Sequence, residues 1–356
     1  MRHEEVFEKA KSFLESISPR DSVVIIFNND ADGISSCILI KKLLEMRGIR
    51  DIFIITQPMP TEKNLIKKVQ TTVPTKIIFL DIAIDQQTNV LKKLGGICDI
   101  LIIDHHQISR DMNSDIITHY NPRFKTAKIY QSTSYCTYKL CSAITSMSDY
   151  LWIAAIGMIG DYNLEYSQDL VEEIKKRYTL TGKLYDSLLG RFADMISAAR
   201  ATKVMTCEEM VELFSKANSP EDFEKLQGSE KLIDAYKKTE NEIMSVMADI
   251  EKNAEKAGNV ILYNIKSEYN LASPVSTKIS EKYYNNIVII YSIAGSKVKI
   301  SARNQSQKWD VARLLQQAGT GMKASAGGHA AAAGATLQSA DWPAFKERLI
   351  ELANKR

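Results

Sequence analysis

Residues 22–48, SVVIIFNNDADGISSCILIKKLLEMRG, decide the fold of the N-terminal half of this chain. An apolar run rich in β-branched residues, VVIIF, ends in polar residues, and the following segment repeats its apolar residues at helical spacing up to a closing glycine. This pattern predicts a buried strand, a loop with Asp30 and Asp32, and a helix. Both carboxylates would then lie at the carboxyl end of the strand.

Similar strand-and-helix units recur further along the chain. The apolar runs are residues 51–56, 76–80 and 98–103, and the helical segments between them are 63–70 and 87–95. Such alternation predicts a parallel sheet covered by helices. Asp81 ends one run, and Asp104, His105 and His106 end another. Because ligands bind beyond the carboxyl ends of parallel strands, we expect these side chains to meet in space.

The rest of the chain divides into two further parts. The apolar run in YLWIAAIGMIGDYN, residues 150–163, predicts a buried helix that ends at Asp161. Charged amphipathic helices then continue to Ala257, and strand and helix patterns alternate again after Gly258. The predicted domains are therefore an N-terminal domain at 1–190, a helical connector at 191–257 and a smaller α/β domain at 258–356.

Composition limits the class of protein. At 356 residues and 45% hydrophobic content, the chain is long enough for two or three domains with substantial cores. It has no window of roughly 18 uncharged apolar residues, and it begins with a charged amphipathic helix, so we expect no membrane insertion and a cytoplasmic location. Its five cysteines lack CxxC spacing, so neither disulfides nor structural zinc is expected.

The charge distribution favours an anionic ligand for the C-terminal part. The whole chain has a net charge of only +3, but residues 258–356 contain 13 Lys and Arg against 6 Asp and Glu. The C-terminal part is therefore the more probable anion-binding surface on charge alone.

The acidic strand ends have two interpretations. Taken singly, Asp30, Asp32 and Asp81 are as well explained as helix caps or turn residues. Taken together with Asp161 and the histidine pair, they match the oxygen and imidazole ligands of two hard divalent cations, which lie about 3.5 to 4 Å apart in two-metal sites. The combination therefore predicts a site for two divalent cations.

The order of the motifs also resembles a known family. NNDADGISS, LDIA, IDHHQ, GMIGD and SAGGHAAAAGA follow one another between residues 28 and 334. This series resembles the DHH superfamily of phosphoesterases with a DHHA1-type C-terminal domain, and it is most similar to RecJ-like exonucleases of the archaeal type. The resemblance implies an α/β fold with a parallel-sheet DHH domain, a helical connector and a smaller α/β DHHA1 domain.

The same resemblance implies roles for the acidic and histidine residues. Asp30 would bind one metal ion and Asp32 the other, Asp81 would bridge them, and His105 and Asp161 would complete the second site. Mn²⁺ would be the preferred ion, with Mg²⁺ as the alternative.

The histidine motif implies two further roles. Asp104 would orient the DHH loop, and His106 would lie close to the reacting phosphate. A hydrogen-bonding role without direct catalysis is the alternative for His106.

One position departs from the family pattern. Nucleases of this group commonly have a His or Asp two or four residues before the first aspartate of the DxD element, and here Asn28 and Ile26 occupy those positions. Asparagine offers a neutral oxygen but no charge. We therefore expect a weaker first metal site and a dependence on high Mn²⁺.

The C-terminal GGH motif again allows two interpretations. Gly327, Gly328 and His329 could form a tight turn before an alanine-rich helix. Alternatively, the glycines would let the backbone approach a substrate phosphate, whose charge would be met by His329, the helix N-terminus and Arg303. The resemblance favours the second. Residues 121–123 and 132–134 are weaker candidates for substrate contact, and capping also explains the serines and threonine of the second segment.

The sequence is consistent with three functions. The first is an exonuclease that releases mononucleotides from single-stranded DNA or short RNA. The second is a replication scaffold that binds a GINS-type partner or the helicase. The third is a phosphodiesterase for small molecules such as cyclic dinucleotides. We prefer the first, because most of the metal ligands are present.

Overall fold

The computed structural model describes residues 3–57, 62–162 and 164–355. They form two compact units, residues 1–235 and 236–356. None of the helices in these ranges is long and apolar enough to cross a bilayer.

The first unit is built on a five-stranded sheet in which all neighbouring strands are parallel, in the order β2-β1-β3-β4-β5. Its strands are β1 (Val23–Phe27), β2 (Ile52–Thr56), β3 (Lys76–Leu80), β4 (Asp99–Ile103) and β5 (Ile117–Tyr120). The sequence predicted the first four of these and missed β5, which is only four residues long and has a single strongly apolar residue in its first half.

Helices surround this sheet. They are α1 (His3–Ser16), α2 (Ala31–Met46), α3 (Glu62–Thr72), α4 (Thr88–Gly95), α5 (Thr133–Ser142), α6 (Leu151–Gly160), α7 (Gln168–Arg177), α8 (Leu188–Thr202) and α9 (Cys207–Lys216). The next helix, α10 (Ser229–Asn253), contains the boundary between the two units. One core cluster joins β1, β3 and β4 to α3 and α4. The alternate residues of β1 are also buried, so the sheet is covered on both faces, as its continuous apolar strands predict.

The second unit contains a six-stranded sheet in the order β10-β11-β9-β8-β7-β6, in which only β7 and β8 run parallel. Its strands are β6 (Glu255–Ala257), β7 (Val260–Asn264), β8 (Ile287–Ala294), β9 (Lys297–Arg303), β10 (Ala324–Gly328) and β11 (Ala332–Gln338). Its further helices are α11 (Ala272–Lys282), α12 (Val311–Ala318) and α13 (Trp342–Asn354).

The α/β fold class is therefore confirmed, with a parallel sheet in the N-terminal part and a mixed sheet in the C-terminal part. Two local predictions were wrong. The charged helix before Gly258 ends at Asn253, and residues 255–257 form the short strand β6 instead. The alanine run after His329 is strand β11 and not a helix, because its backbone pairs with β9 and β10. Pairing within a sheet outweighs the helix propensity of alanine there.

Candidate functional site

The segment after the first strand contains two carboxylates, Asp30 and Asp32. Asp30 is the N-cap of α2, and its Oδ1 accepts a hydrogen bond from the Gly33 amide at 3.0 Å. Asp32 lies in the first turn of that helix and is only 2% exposed. A Cβ atom on Gly33 would lie 2.4 Å from the Asn28 carbonyl oxygen, so this tight turn requires a glycine.

Asp81 follows β3 directly and lies between the other ligand candidates. Its φ of 60° is in the left-handed region, and it is 2% exposed. Its Oδ2 accepts a hydrogen bond from Asn28 Nδ2 at 3.0 Å, and the same amide nitrogen donates to Asp30 Oδ2 at 2.8 Å. The Asn28 amide therefore joins the two carboxylates of what the sequence predicted to be the first metal site.

His105 lies between two of the carboxylates. Its Nε2 is 3.2 Å from Asp81 Oδ1, and its Nδ1 is 3.5 Å from Asp161 Oδ2. Asp161 is at the C-terminal end of α6, where its Oδ1 accepts a hydrogen bond from the Tyr130 hydroxyl at 3.0 Å. The helix and the fourth strand thus bring their polar ends together.

Helix α5 holds Asp32 from its N-terminus. The amides of Thr133 and Ser134 donate to the two oxygens of Asp32, at 2.7 and 2.8 Å. Both amides belong to the first turn of the helix, where backbone N–H groups lack helical partners and the dipole favours a negative charge. Residues 132–134, a weaker candidate for substrate contact in the sequence, therefore contact the predicted metal ligand Asp32 through their backbone.

His106 is more exposed than His105, its neighbour in the chain. The His106 side chain is 32% exposed, whereas that of His105 is only 3% exposed. His106 Nδ1 lies 2.7 Å from Asp104 Oδ1. Burial alone would lower the pKa of His106, but Asp104 outweighs it and the net shift is upward. Burial alone would raise the pKa of Asp104, but His106 lowers it to about 2.

Sequence reasoning underrated the segment between β5 and α5. Asn121 Nδ2 donates to the His106 carbonyl at 3.0 Å, and Arg123 Nε donates to the His105 carbonyl at 2.7 Å. The Arg123 guanidinium also lies 5.5 Å from the ring of Tyr130. These residues hold the backbone of the histidine pair, and only the spacing of residues 121–123 between known motifs pointed to them. Tyr130 gave no signal in the sequence.

The predicted residues of the second unit lie together at one end of its sheet. Ala332 in β11 pairs with Arg303 in β9, and β10 and β11 form a tight hairpin in which His329 and Ala332 exchange backbone hydrogen bonds of 2.7 and 3.1 Å. Gly328 has a φ of 135°, which favours glycine. The helix N-terminus that we expected beside the GGH motif is therefore absent from this part of the described chain, because the motif is in a hairpin.

Arg303 is held in place by neighbouring polar groups. Its Nε donates to Thr277 Oγ1 at 3.2 Å, its Nη2 to Ser273 Oγ at 3.0 Å and its Nη1 to the Ala302 carbonyl at 3.0 Å. Side chains on α11 thus fix the guanidinium next to the hairpin.

Comparison with known families identifies both units. Residues 22–159 match the DHH family N-terminal domain, and residues 258–355 match the DHHA1 domain, which together account for well over half of the chain. The chain belongs to the DHH family.

Solved structures with the same fold include several RecJ exonucleases. RecJ from Thermus thermophilus, in complex with Mn²⁺, matches this DHH-family chain with a TM-score of 0.76 and 17% identity over 99% of the chain. The chain covers 55% of that RecJ, so it spans about half of its length. Exonuclease RecJ bound to manganese matches with a TM-score of 0.69 and 17% identity, over 98% of this chain and 94% of that one.

A more distant match is CDC45 from Entamoeba histolytica, with a TM-score of 0.57 and 11% identity over 98% of both chains. Identities this low establish a shared fold and nothing more. No curated protein matches the sequence of this DHH-family chain.

The chemistry of the buried residues fits divalent cations. Two groups have ligand atoms within 4.8 Å of one another: Asp81, His105 and His106 form one, and Asp32, His105 and Asp161 form the other. Burial raises the pKa of Asp32 to about 6, and burial and neighbouring carboxylates raise the pKa of Asp81 and of Asp161 well above the ordinary value. Buried carboxylates that repel one another are stabilised by a shared cation. The DHH-family site therefore has ligands suited to Mn²⁺ or Mg²⁺.

Proposed function

We propose that this chain is a Mn²⁺- or Mg²⁺-dependent phosphodiesterase of the RecJ-like type, which releases mononucleotides from single-stranded DNA or short RNA. The observation that supports this proposal most directly is the cluster of buried carboxylates around His105. Three aspartates with raised pKa values and one imidazole converge there from two strand ends and two helix ends.

The ligands would divide between two ions. In this proposal Asp30 would hold one ion, Asp32, His105 and Asp161 would hold the other, and Asp81 would be a ligand of both. When bound, the ions would lower the pKa of a water molecule and polarise the oxygens of the phosphate. The protein itself fixes these side chains, since Asp32 is held by α5 and Asp161 by the Tyr130 hydroxyl.

His106 would meet the negative charge of the reacting phosphate. Asp104 Oδ1 accepts a hydrogen bond from Nδ1 of His106 and raises the pKa of that ring, and a protonated ring is suited to contact with an anion. The His106 side chain is also more exposed than that of His105, which supports contact with substrate. Asp104 would then act as the positioning residue that keeps the ring oriented.

The DHHA1 unit would hold one end of the substrate. Arg303 supplies a fixed positive charge, and the exposed backbone at Gly327, Gly328 and His329 allows close approach of a phosphate. The net positive charge of residues 258–356 supports an anionic ligand in this unit.

One observation favours a second candidate function. Asn28 places a neutral amide between Asp30 and Asp81, so the first ion gains no charge compensation from that position. A protein with one weakened metal site would suit a replication-associated scaffold that binds a GINS-type partner and retains weak nuclease activity. A phosphodiesterase for small molecules would use the same residues and differ only in its substrate.

The experiment that tests the proposal follows end-labelled single-stranded DNA and RNA oligomers incubated with the full chain in Mn²⁺, in Mg²⁺ and in chelator. Asp81→Asn removes the bridging charge and preserves the size of the side chain. Asp149→Asn makes the same chemical change at a side chain that is 79% exposed and paired with Arg177, so it is the matched control.

The proposal predicts metal-dependent release of mononucleotides by the wild type and by Asp149→Asn, and none by Asp81→Asn. The labelled end that disappears first gives the polarity, and the two oligomers give the sugar preference. If no oligomer is cut in either metal, the proposed exonuclease activity is wrong, and binding to a GINS-type protein becomes the next measurement.

A further inference from the structure

Two stacked tyrosines include the residue that follows Asp161 in the chain. Tyr162 follows Asp161 in the chain, and its ring lies nearly parallel to that of Tyr185, with ring centroids 5.6 Å apart and an angle of 12° between the planes. Tyr185 belongs to the short 3-10 turn Leu184–Asp186 that precedes α8. Both rings reach solvent, since Tyr162 is 53% exposed and Tyr185 is 36% exposed.

The backbone of Tyr162 is unusual for an aromatic residue. Its φ is 55°, in the left-handed region, and its amide donates to the Ile159 carbonyl at 3.1 Å as the last turn of α6 closes. Helices that end in this way usually have glycine or asparagine at the left-handed position. Burial in the core does not offset this strain, because the residue is 53% exposed. A role for the ring outside the core explains why a tyrosine is tolerated there.

We propose that Tyr162, supported by Tyr185, is a stacking platform for the base of the nucleotide whose phosphate is held at the acidic cluster. This inference rests on the proposed function and names the substrate class for that site. Asp161 and Tyr162 are neighbours in the chain, with Cα atoms about 3.8 Å apart, so the proposed platform begins one residue after a proposed metal ligand.

The chemistry of such a platform defines the substrate. Every nucleobase has a flat π face that can stack on a tyrosine ring, so the contact holds a nucleotide without reading its sequence. A polyphosphate, a pyrophosphate or a sugar phosphate has no such face. The site should therefore discriminate between substrates with and without a base at the nucleotide to be released, and tolerate all bases.

Two substitutions of Tyr162 separate the ring from the backbone. Tyr162→Asn removes the ring but keeps a residue that accepts a positive φ, whereas Tyr162→Phe keeps the ring and removes the hydroxyl. Tyr284→Asn, which removes a tyrosine that is 57% exposed in the second unit, is the control for the loss of an exposed ring. Thermal melting of each variant checks that it folds.

The first measurement compares KM for two oligonucleotides that differ only in whether the terminal nucleotide has a base or is abasic. We expect Tyr162→Asn to raise KM for the intact oligonucleotide by ~10-fold or more, and to leave KM for the abasic one unchanged. Tyr162→Phe and Tyr284→Asn should match the wild type on both.

The second measurement needs no hydrolysis. Short oligonucleotides with 2-aminopurine at successive positions are titrated with the full chain in Ca²⁺, which takes oxygen ligands as Mn²⁺ does, and the fluorescence of the base is followed. Stacking on Tyr162 should quench one position in the wild type and in Tyr162→Phe, and this quenching should disappear in Tyr162→Asn.

The outcomes separate this inference from the proposed function. Equal KM increases on both oligonucleotides, or quenching that persists in Tyr162→Asn, would overturn the stacking platform even if the exonuclease is real. Quenching that depends on Tyr162 in a protein that cuts no oligonucleotide would support the platform while the exonuclease fails.

Discussion

The carboxyl end of the N-terminal sheet buries its charges, whereas the C-terminal hairpin exposes its backbone. Asp32, Asp81 and His105 are each no more than 3% exposed, and the carboxylates repel one another. Gly327 and Gly328 are exposed and have no side chains. A buried cluster of like charges destabilises the metal-free fold and is expected to act on the chemical step. An exposed backbone costs the fold little, and is expected to act on substrate affinity.

The largest expected effect comes from the acidic cluster. Asp81→Asn should lower kcat by more than ~100-fold, because it removes a ligand itself, and changes in the groups that merely support a ligand already cost ~10- to 100-fold. The same substitution should raise the melting temperature of the metal-free protein, since it removes a buried carboxylate whose pKa is raised by burial and by neighbouring Asp30 and Asp32. Asparagine also tolerates the positive φ at this position.

Two measurements check this prediction, namely steady-state kinetics in Mn²⁺ and thermal melting in chelator. Asp149→Asn should change neither. A lower melting temperature for Asp81→Asn in chelator would mean that the carboxylate stabilises the metal-free fold, and the contrast between the two regions would lose its physical basis.

The next largest effect is expected at Arg303, beside the C-terminal hairpin. Arg303→Gln should raise KM for oligonucleotides by ~10-fold with little change in kcat, because the guanidinium is proposed to bind substrate away from the reacting phosphate. Arg313→Gln, at an exposed arginine on α12 of the same unit, controls for the loss of one positive charge. A fall in kcat at unchanged KM would place Arg303 in the chemistry and contradict the division of roles.

The acidic cluster was predictable because its positions follow from topology. Parallel strands place their carboxyl ends at one edge of the sheet, so the sequence alone predicts that Asp81 and His105 lie close together. The strand and helix patterns that flank them were unambiguous, since the strands are continuous apolar runs. The supporting contacts were not predictable, because Tyr130 and Arg123 act through single hydrogen bonds that depend on the path of a loop.

The hairpin was harder to predict, because local propensity and tertiary pairing disagree there. The run from Ala330 to Ala335 favours a helix by composition, yet residues 332–338 pair with β9 and β10 along their length. Small side chains allow close pairing in a sheet as readily as they allow a helix. The alanines alone therefore do not distinguish a strand from a helix here. Arg303 pairs with Ala332, which is three residues after His329, and its association with the GGH motif in substrate binding stays a prediction.

A smaller effect concerns Asn28, a neutral side chain between Asp30 and Asp81. Asn28→Asp should lower the Mn²⁺ concentration needed for half-maximal activity by ~10-fold, because it adds a negative charge beside Asp30 and Asp81. It should also lower the melting temperature of the metal-free protein and enlarge the increase in that temperature caused by Mn²⁺. Asn28→Gln, which adds no charge, is the control, and an equal gain from Gln would show that charge is not the cause.

The smallest expected effect separates two adjacent glycines of the hairpin. A Cβ at Gly328 would lie 2.5 Å from the Ala332 carbonyl oxygen and would require an unfavourable φ of 135°, so Gly328→Ala should destabilise the second unit by ~1 to 3 kcal/mol. A Cβ at Gly327 would meet nothing within 4 Å, so Gly327→Ala should leave the melting temperature unchanged. If a phosphate approaches the backbone there, however, the added methyl group occupies the approach, and KM for oligonucleotides should rise several-fold at constant stability. Melting curves and KM for the two variants, measured together, test this directly. If Gly327→Ala alters neither quantity, the glycine serves neither fold nor ligand, and the proposed phosphate contact would have to be made by His329 and Arg303 alone.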